Sequence, residues 1–399
     1  MKRYRLGELV EVTRGMSLPG ANYATSGSLV RLTLGNFDYA SGGFKTNTSK
    51  DNIYYTGKVK PEFILDKGDI ITPLTEQTAG LLGSTARIPE SGKYILSQDV
   101  ALVTCKEGRI DPSFCYYLLS SASVRKQLSA TAQQTKIRHT SPDRIKDVIV
   151  DIPSLSDQKA IGRFLDAIDK RIANARKIND YLEAMARQLY DYWFVQFDFP
   201  DEQGKPYKSS GGKMVWNERL KREIPEGWEC ATLQDFLTIK NGRDHKALHE
   251  GLFPVYGSGG LMRYVDSYLY NGESVLFPRK GSLNHIMYVN EAFWTVDTMF
   301  FTELKIPQAA KYIFYSVNGI DFTGLDSGTG VPSMTSTTLY SIKVIKPTQD
   351  LLQLFDERIQ PWFHAIESNR RAIEESKKLR DELLPLLMNG QVSVRQAAK

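Results

Sequence analysis

The side chains best suited to chemistry along this 399-residue chain are loop cations rather than nucleophiles or metal ligands. Lys136, Arg138 and His139 lie in a polar stretch, 132–143, just ahead of a strand-like run. Arg279 and Lys280 follow another such run and precede Gly281, Arg243 and His245 adjoin Gly242, and Arg14 adjoins Gly15. Arginine and lysine in such places can reach phosphates or the acceptor edge of guanine. The same residues also suit solvated loops and exposed turns. The run Tyr256-Gly257-Ser258-Gly259-Gly260 allows a close backbone approach and equally an ordinary turn. The stretch 327–336, the later counterpart of 132–143, carries no cation and offers only hydroxyls and amides.

Catalytic patterns are missing. Gly211-Gly212-Lys213-Met214 lacks the first glycine and the hydroxyl of a phosphate-binding loop. No Asn or Asp is followed by two prolines and an aromatic, the tetrapeptide of amino-methyltransferases, and Pro200-Asp201-Glu202 with Lys205 has the wrong spacing for a nuclease carboxylate set. His139, His245, His249, His285 and His364 show no metal-ligand spacing, so no metal is expected. Cys105, Cys115 and Cys230 form no CxxC pair and suit packing in a reducing compartment. Net charge is +5, and residues 1–153 hold the excess, with 20 Lys and Arg against 15 Asp and Glu. A hydrophobic share of 41% with 24% charged residues fits a soluble globular protein. No stretch approaches the roughly 18 to 20 apolar residues that span a bilayer, and Met1 to Thr13 lacks a signal-peptide core, so the expected location is cytoplasmic.

The elements that position these cations come in two copies. Arg5 to Gly15 shares its apolar spacing with Thr232 to Gly242, Lys67 to Ile71 parallels Asn271 to Val275, and Thr135 to Pro153 matches Thr329 to Pro347 at a constant offset of 194. Within each copy, short runs rich in Val, Ile, Tyr, Phe and Thr are broken by Gly, Asn, Asp and Pro, a β-rich texture. Buried strands are expected at 97–105 and 295–304, with short helices at 112–123 and 307–317. The fold class is α+β: a first module over 1–153, a long helix over 154–197, a linker over 198–227 with little core, a second module over 228–347, a second long helix over 348–390 and a tail over 391–399.

After each module the apolar period becomes helical. Ile161, Leu165, Ile168, Ile172, Ala175, Asn179, Leu182, Ala186, Leu189 and Trp193 alternate spacings of four and three. Adding 194 gives a poorer second stripe: Phe355, Ile359, Trp362, Ile366, Asn369, Ile373, Ser376, Arg380, Leu383 and Leu387. Either stripe alone could cover one domain core. Roughly 35 to 40 residues at about 1.5 Å each, however, make a rod of about 55 Å. Two such rods can bury both stripes as an antiparallel pair with a pseudo-two-fold axis. Partners then sum to 548, which sets Asn179 against Asn369 and Ala186 against Trp362. Ser154 or Ser156 can cap the first helix and Asn389-Gly390 can stop the second, whereas Pro361 and Pro385 should kink or delay it.

These features resemble the specificity subunit of type I restriction-modification systems. The resemblance rests on Pro153-Ser154-Leu155-Ser156-Asp157-Gln158-Lys159-Ala160-Ile161, on the linker run Pro206 to Trp216, on Ile224-Pro225-Glu226-Gly227-Trp228, on Tyr256 to Gly260 and on Pro278-Arg279-Lys280-Gly281, in their order within a duplicated layout. It implies two target recognition domains, each reading half of a split sequence in double-stranded DNA, and helices that act as spacer and docking surface. It further implies two modification subunits that bring S-adenosylmethionine and methylate adenine N6, and restriction subunits that use ATP and Mg, with no cofactor on this chain. Half-sites on one face of a duplex lie about 34 Å apart, which calls for a rigid strut. The competing reading is a scaffold that binds proteins or glycans through duplicated β modules; a fused restriction-modification enzyme would need the missing catalytic motifs.

Overall fold

A computed structural model describes residues 1–39, 42–76, 81–131, 138–325 and 333–394, with only the backbone of Thr131 and Arg138. The chain divides into two units, Met1–Arg176 with Asn369–Lys399, and Lys177–Ser368. The boundaries cut through both long helices, so each unit contains one sheet-rich module and part of each helix.

In the first unit Lys2–Arg5 pairs antiparallel with Ile149–Ile152. A four-stranded sheet follows in the order Val10–Arg14, Val100–Cys105, Ile70–Pro73, Ala86–Arg87. A second sheet of five two-residue strands carries Tyr23–Ala24 at one edge and Ile64–Leu65 at the other. The helix Pro112–Leu119, started by Pro112 and capped by Asp111, packs its buried face into the core.

The second unit repeats this plan. Glu229–Thr232 pairs with Lys343–Lys346, and one six-stranded sheet runs Leu237–Asn241, Met299–Leu304, Tyr270–Pro278, Met287–Thr295, Phe253–Gly257, Gly260–Val265. The helix Ala310–Val317 takes the place of Pro112–Leu119. The offset of 194 holds residue for residue at the close of each module. It relates Pro142–Lys146 to Ser336–Tyr340, Ile149–Ile152 to Lys343–Lys346, and the start of Leu155–Tyr190 to that of Gln349–Met388. The caps Ser141 and Thr335 keep the same spacing.

Gly15 and Gly242 show why the repeat keeps a glycine after its second strand. A Cβ on Gly15 would lie 2.2 Å from the Ser97 carbonyl oxygen, and one on Gly242 would lie 2.0 Å from that of Val296. Their amides donate to the Val100 and Met299 carbonyls, at 3.1 and 2.9 Å.

The long helices hold 36 and 40 residues, about 54 and 60 Å at 1.5 Å per residue. The Ser154 hydroxyl accepts from the Asp157 amide and starts the first. Every position of both expected stripes is buried or half-buried. In the first unit Ile161, Leu165 and Leu387 join the module core with Leu383 packed against it, and Ile172 and Ile373 are buried. In the second unit Ala186, Trp193, Phe355 and Ile359 enter the core, with Leu189 and Trp362 beside it. There the Asn179 side chain donates to the Ile366 carbonyl at 3.4 Å and Trp193 meets Phe355, so partner numbers fall as the first helix advances, as in an antiparallel pair.

Two expectations need correction. Pro361 and Pro385 do not interrupt or delay the second helix, which continues without a break from Gln349 to Met388. Both prolines sit on the exposed face, where a carbonyl deprived of its amide partner can turn to water. The linker is also more than a tether. It folds into a hairpin, Met214–Asn217 with Arg222–Pro225, whose Ile224 is fully buried, and Phe199 stacks on Tyr207 and Trp228 against the second core. The first helix stops at Tyr190 and closes through a wider turn, Asp191–Val195.

Candidate nucleic-acid interface

Most of the expected contact residues lie at one end of a sheet, at a backbone bridge that each module builds separately. In the second module the turn 295–298 takes three segments. The Arg243 amide donates to the Thr295 carbonyl at 2.9 Å, and those of Arg279 and Lys280 donate to the Thr298 carbonyl at 2.8 and 3.3 Å. The closing segment then docks on the same place, with Lys280 bridged antiparallel to Ser333 and the Met334 amide donating to the Arg279 carbonyl at 2.9 Å. Arg243, Arg279 and Lys280 are exposed, and the Arg279 guanidinium stands 5.9 Å from the Phe300 ring centre.

The first module builds the same junction. The Leu74 amide donates to the Asp99 carbonyl at 2.8 Å, His139 pairs with Thr75 and Arg138 with Glu76, and the Thr140 amide donates to the Leu74 carbonyl at 2.9 Å. Arg14 reaches the neighbouring Gln98 carbonyl through Nε at 3.1 Å. His139 and Arg14 are exposed; Lys136 lies outside the described residues. Thr75 thus corresponds to Lys280, and His139 to Ser333. The cations stand on the closing segment in the first module and on the end of the sheet strand in the second.

His245 is partly buried: its backbone carbonyl accepts from Arg263 at 2.6 Å, and its Nδ1 has no hydrogen-bond partner.

Sequence reasoning missed the polar joints that fasten each module to a long helix. In the second unit Lys311 is fully buried. Its ammonium donates to Glu273, Asp356 and Gln360 at 2.7, 2.7 and 2.6 Å, with the Tyr288 ring 5.2 Å away. Burial pushes the Asp356 carboxyl above its ordinary range, only partly opposed by Lys311. The one signal in the sequence is a lysine inside the apolar helix Ala310–Val317. In the first unit Asp166 takes Arg87 at 2.7 Å, Ser113 at 2.6 Å and Tyr117 at 3.0 Å, while Asp169 binds Tyr117 and Arg380 at 2.8 and 2.9 Å. Burial works against ionised Asp166, but hydrogen bonds from Ser113 and Arg87 outweigh it and hold the carboxyl below its ordinary range. Among the described residues no group of His, Cys, Asp and Glu could hold a metal, and no helix is long and apolar enough to cross a membrane.

Two related modules, each with candidate contact residues at an equivalent sheet-end bridge and each fastened to a long helix, give the chain the layout of a tandem recognition protein. Residues 1–184 and 225–376 match the family described as type I restriction modification DNA specificity domain. The chain belongs to this family, whose part is DNA recognition rather than catalysis. It is 25% identical over 327 residues to the type I restriction enzyme MjaIX specificity subunit of Methanocaldococcus jannaschii, covering 73% of this chain and 71% of that one. The MjaVIII specificity subunit of the same organism is 22% identical over 369 residues, covering 84% and 81%. The fold is similar to the crystal structure of a type I restriction-modification S subunit from M. genitalium, with a TM-score of 0.64 at 17% identity over 97% of this chain and 95% of that one.

Proposed function

We propose that this chain is the DNA-specificity subunit of a type I restriction-modification complex and reads a two-part target, one part per module. The observation that carries the reading is the equivalent bridge: one backbone junction built in both modules, with its candidate contact residues on opposite strands, suits two readers that differ in the bases they contact. Arg138, His139 and Arg14 serve the first half, and Arg279, Lys280 and Arg243 the second, by bonds to guanine edges and phosphates. The helices set the distance between half-sites. Ile178, Tyr181 and Met185 are exposed along the first helix and Tyr192 on the turn that closes it, at spacings of three, four and seven. They offer an apolar stripe on which a modification subunit docks.

In this reading two modification subunits supply S-adenosylmethionine and methylate adenine N6 after base flipping, and restriction subunits supply ATP- and Mg-dependent translocation and cleavage, in the cytoplasm. This chain binds none of these cofactors. Family membership speaks against the alternative of a protein- or glycan-binding scaffold.

The test is a genome-wide map of methylated adenines with and without the gene, then with Arg279→Ala/Lys280→Ala. Deletion should erase one bipartite motif, and the variant should relax only one of its halves. An unchanged methylome overturns the reading. Affinity of the assembled complex for duplex DNA should fall steeply with salt, as counterion release requires and glycan binding does not.

A further inference from the structure

The second module carries an apolar feature that its core does not use. The hairpin Phe253–Gly257 with Gly260–Val265 forms the edge of the six-stranded sheet. Just past its tip Leu261 and Met262 are 48% and 56% exposed, while Val265 at the far end of the strand is fully buried.

The tip is fixed against the cation-bearing turn. His285 Nδ1 lies 2.8 Å from the Ser258 carbonyl oxygen, and a Cβ on Gly281 would stand 2.9 Å from Ser258 Oγ, so the glycine after Lys280 is what lets the tip close in. The strand that carries Leu261 and Met262 therefore leaves this tip close to the turn of Arg279 and Lys280, and Arg243 is bonded to the adjoining turn. Against these three cations stand two exposed carboxylates, Asp297 on that turn and Asp244 next to Arg243.

We propose that this hairpin tip is a wedge for duplex DNA, in which Leu261 and Met262 enter between base steps while Arg279 and Lys280 hold the flanking phosphates. Apolar residues inserted beside cations unstack a step and bend the duplex, which exposes more of it to the protein. The surplus of positive charge around the tip favours a polyanion over another protein. In the first module the chain between the equivalent strands builds the sheet of two-residue strands instead, so the bend belongs to the second half-site. This inference rests on the reading of the second module as a DNA reader.

The experiment uses the full chain assembled with its modification subunits and a duplex, labelled at both ends for energy transfer, that carries the bipartite motif mapped above. Leu261→Ser/Met262→Ser should abolish the change in transfer efficiency on binding and lower affinity about tenfold. A mismatched, already unstacked step in the second half-site should restore affinity. Arg279→Ala, the control for the underlying reading, should weaken binding to the intact and the mismatched duplex alike. An unchanged bend and affinity in the double variant overturns the wedge. So does poorer assembly with normal DNA binding by the complex that forms, which would assign the patch to a protein partner. If the wild-type complex itself ignores the motif, the DNA-reader assignment fails and the wedge with it.

Discussion

The two modules keep their backbone and exchange their charges. At the sheet end, Thr75 with His139 and Lys280 with Ser333 occupy one bridge, each followed by the same amide-to-carbonyl bond, Thr140 to Leu74 and Met334 to Arg279. At the helix joint the exchange is equally ordered. Ser113 and Lys311 are the second residues of equivalent helices, and Gly162, Asp166 and Asp169 lie 194 residues before Asp356, Gln360 and Phe363. Where the first unit sets small Ser113 against Gly162 and bonds it to Asp166, the second sets Lys311 against Asp356 and Gln360. The Tyr117–Asp169 hydrogen bond is replaced by a ring contact, Tyr315 with Phe363. Duplication thus supplies the geometry, and divergence rewrites the polar contacts in matched sets.

The largest break in the comparison comes at the joints. Lys311→Met removes the cation from two carboxylates without returning them to water, and breaking a buried pair costs about 3–5 kcal/mol. Ser113→Ala removes one hydrogen bond from a helix whose Asp166 keeps Arg87 and Tyr117, and should cost about 1 kcal/mol. Denaturant unfolding of the assembled protein checks both, and equal costs would show that the joints are not chemically distinct.

Next come the shared glycines. Gly15→Ala and Gly242→Ala each drive a methyl into a carbonyl oxygen, and overpacking of this kind costs about 1–3 kcal/mol. Because the repeat makes the same close approach twice, the two losses should agree within about 0.5 kcal/mol. A large loss at one position and none at the other would deny that the junctions are equivalent.

The cations should separate what the glycines hold equal. Arg279→Ala is expected to cost about 1–3 kcal/mol of discrimination at one half-site and none at the other. His139→Ala should act on the opposite half. Loss of a phosphate contact instead weakens all sequences alike and lowers the salt slope by about one. Competition binding against duplexes altered in one half at a time distinguishes these outcomes, and a variant that relaxes both halves would contradict one reader per module.

Much of this was legible in the residues. The offset of 194 relates two elements at the close of each module and the start of each long helix to the residue, and the stripes named the helix positions that the fold buries, because periodicity reports the face that must leave water. The prolines do not end the helix, which the sequence left open because it does not show that both residues face solvent. Phe199, Ile224 and Trp228 were hidden because a stretch rich in Gly, Lys and Ser masks a few apolar anchors. The joints were illegible for a deeper reason: Lys311, Asp356 and Gln360 look like ordinary surface residues until the fold brings them together. The bridge was half legible. Glycine, Arg279 and Arg138 marked loops, but only strand pairing shows that the two loops are one place.

The smallest effect is a difference of sign with pH. Asp166 is held below its ordinary range, so it contributes stability that is present above about pH 4 and is lost as pH falls through its lower folded value. Asp356 is pushed above its ordinary range, so its contribution is greatest below about pH 4 and declines as pH rises through its higher folded value. Both groups are partly exposed, which moderates each effect. Asp166→Asn should therefore flatten the loss of melting temperature between about pH 5 and pH 3, and Asp356→Asn should steepen it, whatever either substitution does to stability at neutral pH. Melting curves of the assembled complex across that interval measure both slopes. Slopes that move in the same direction would show that the two joints, unlike in their residues, titrate alike.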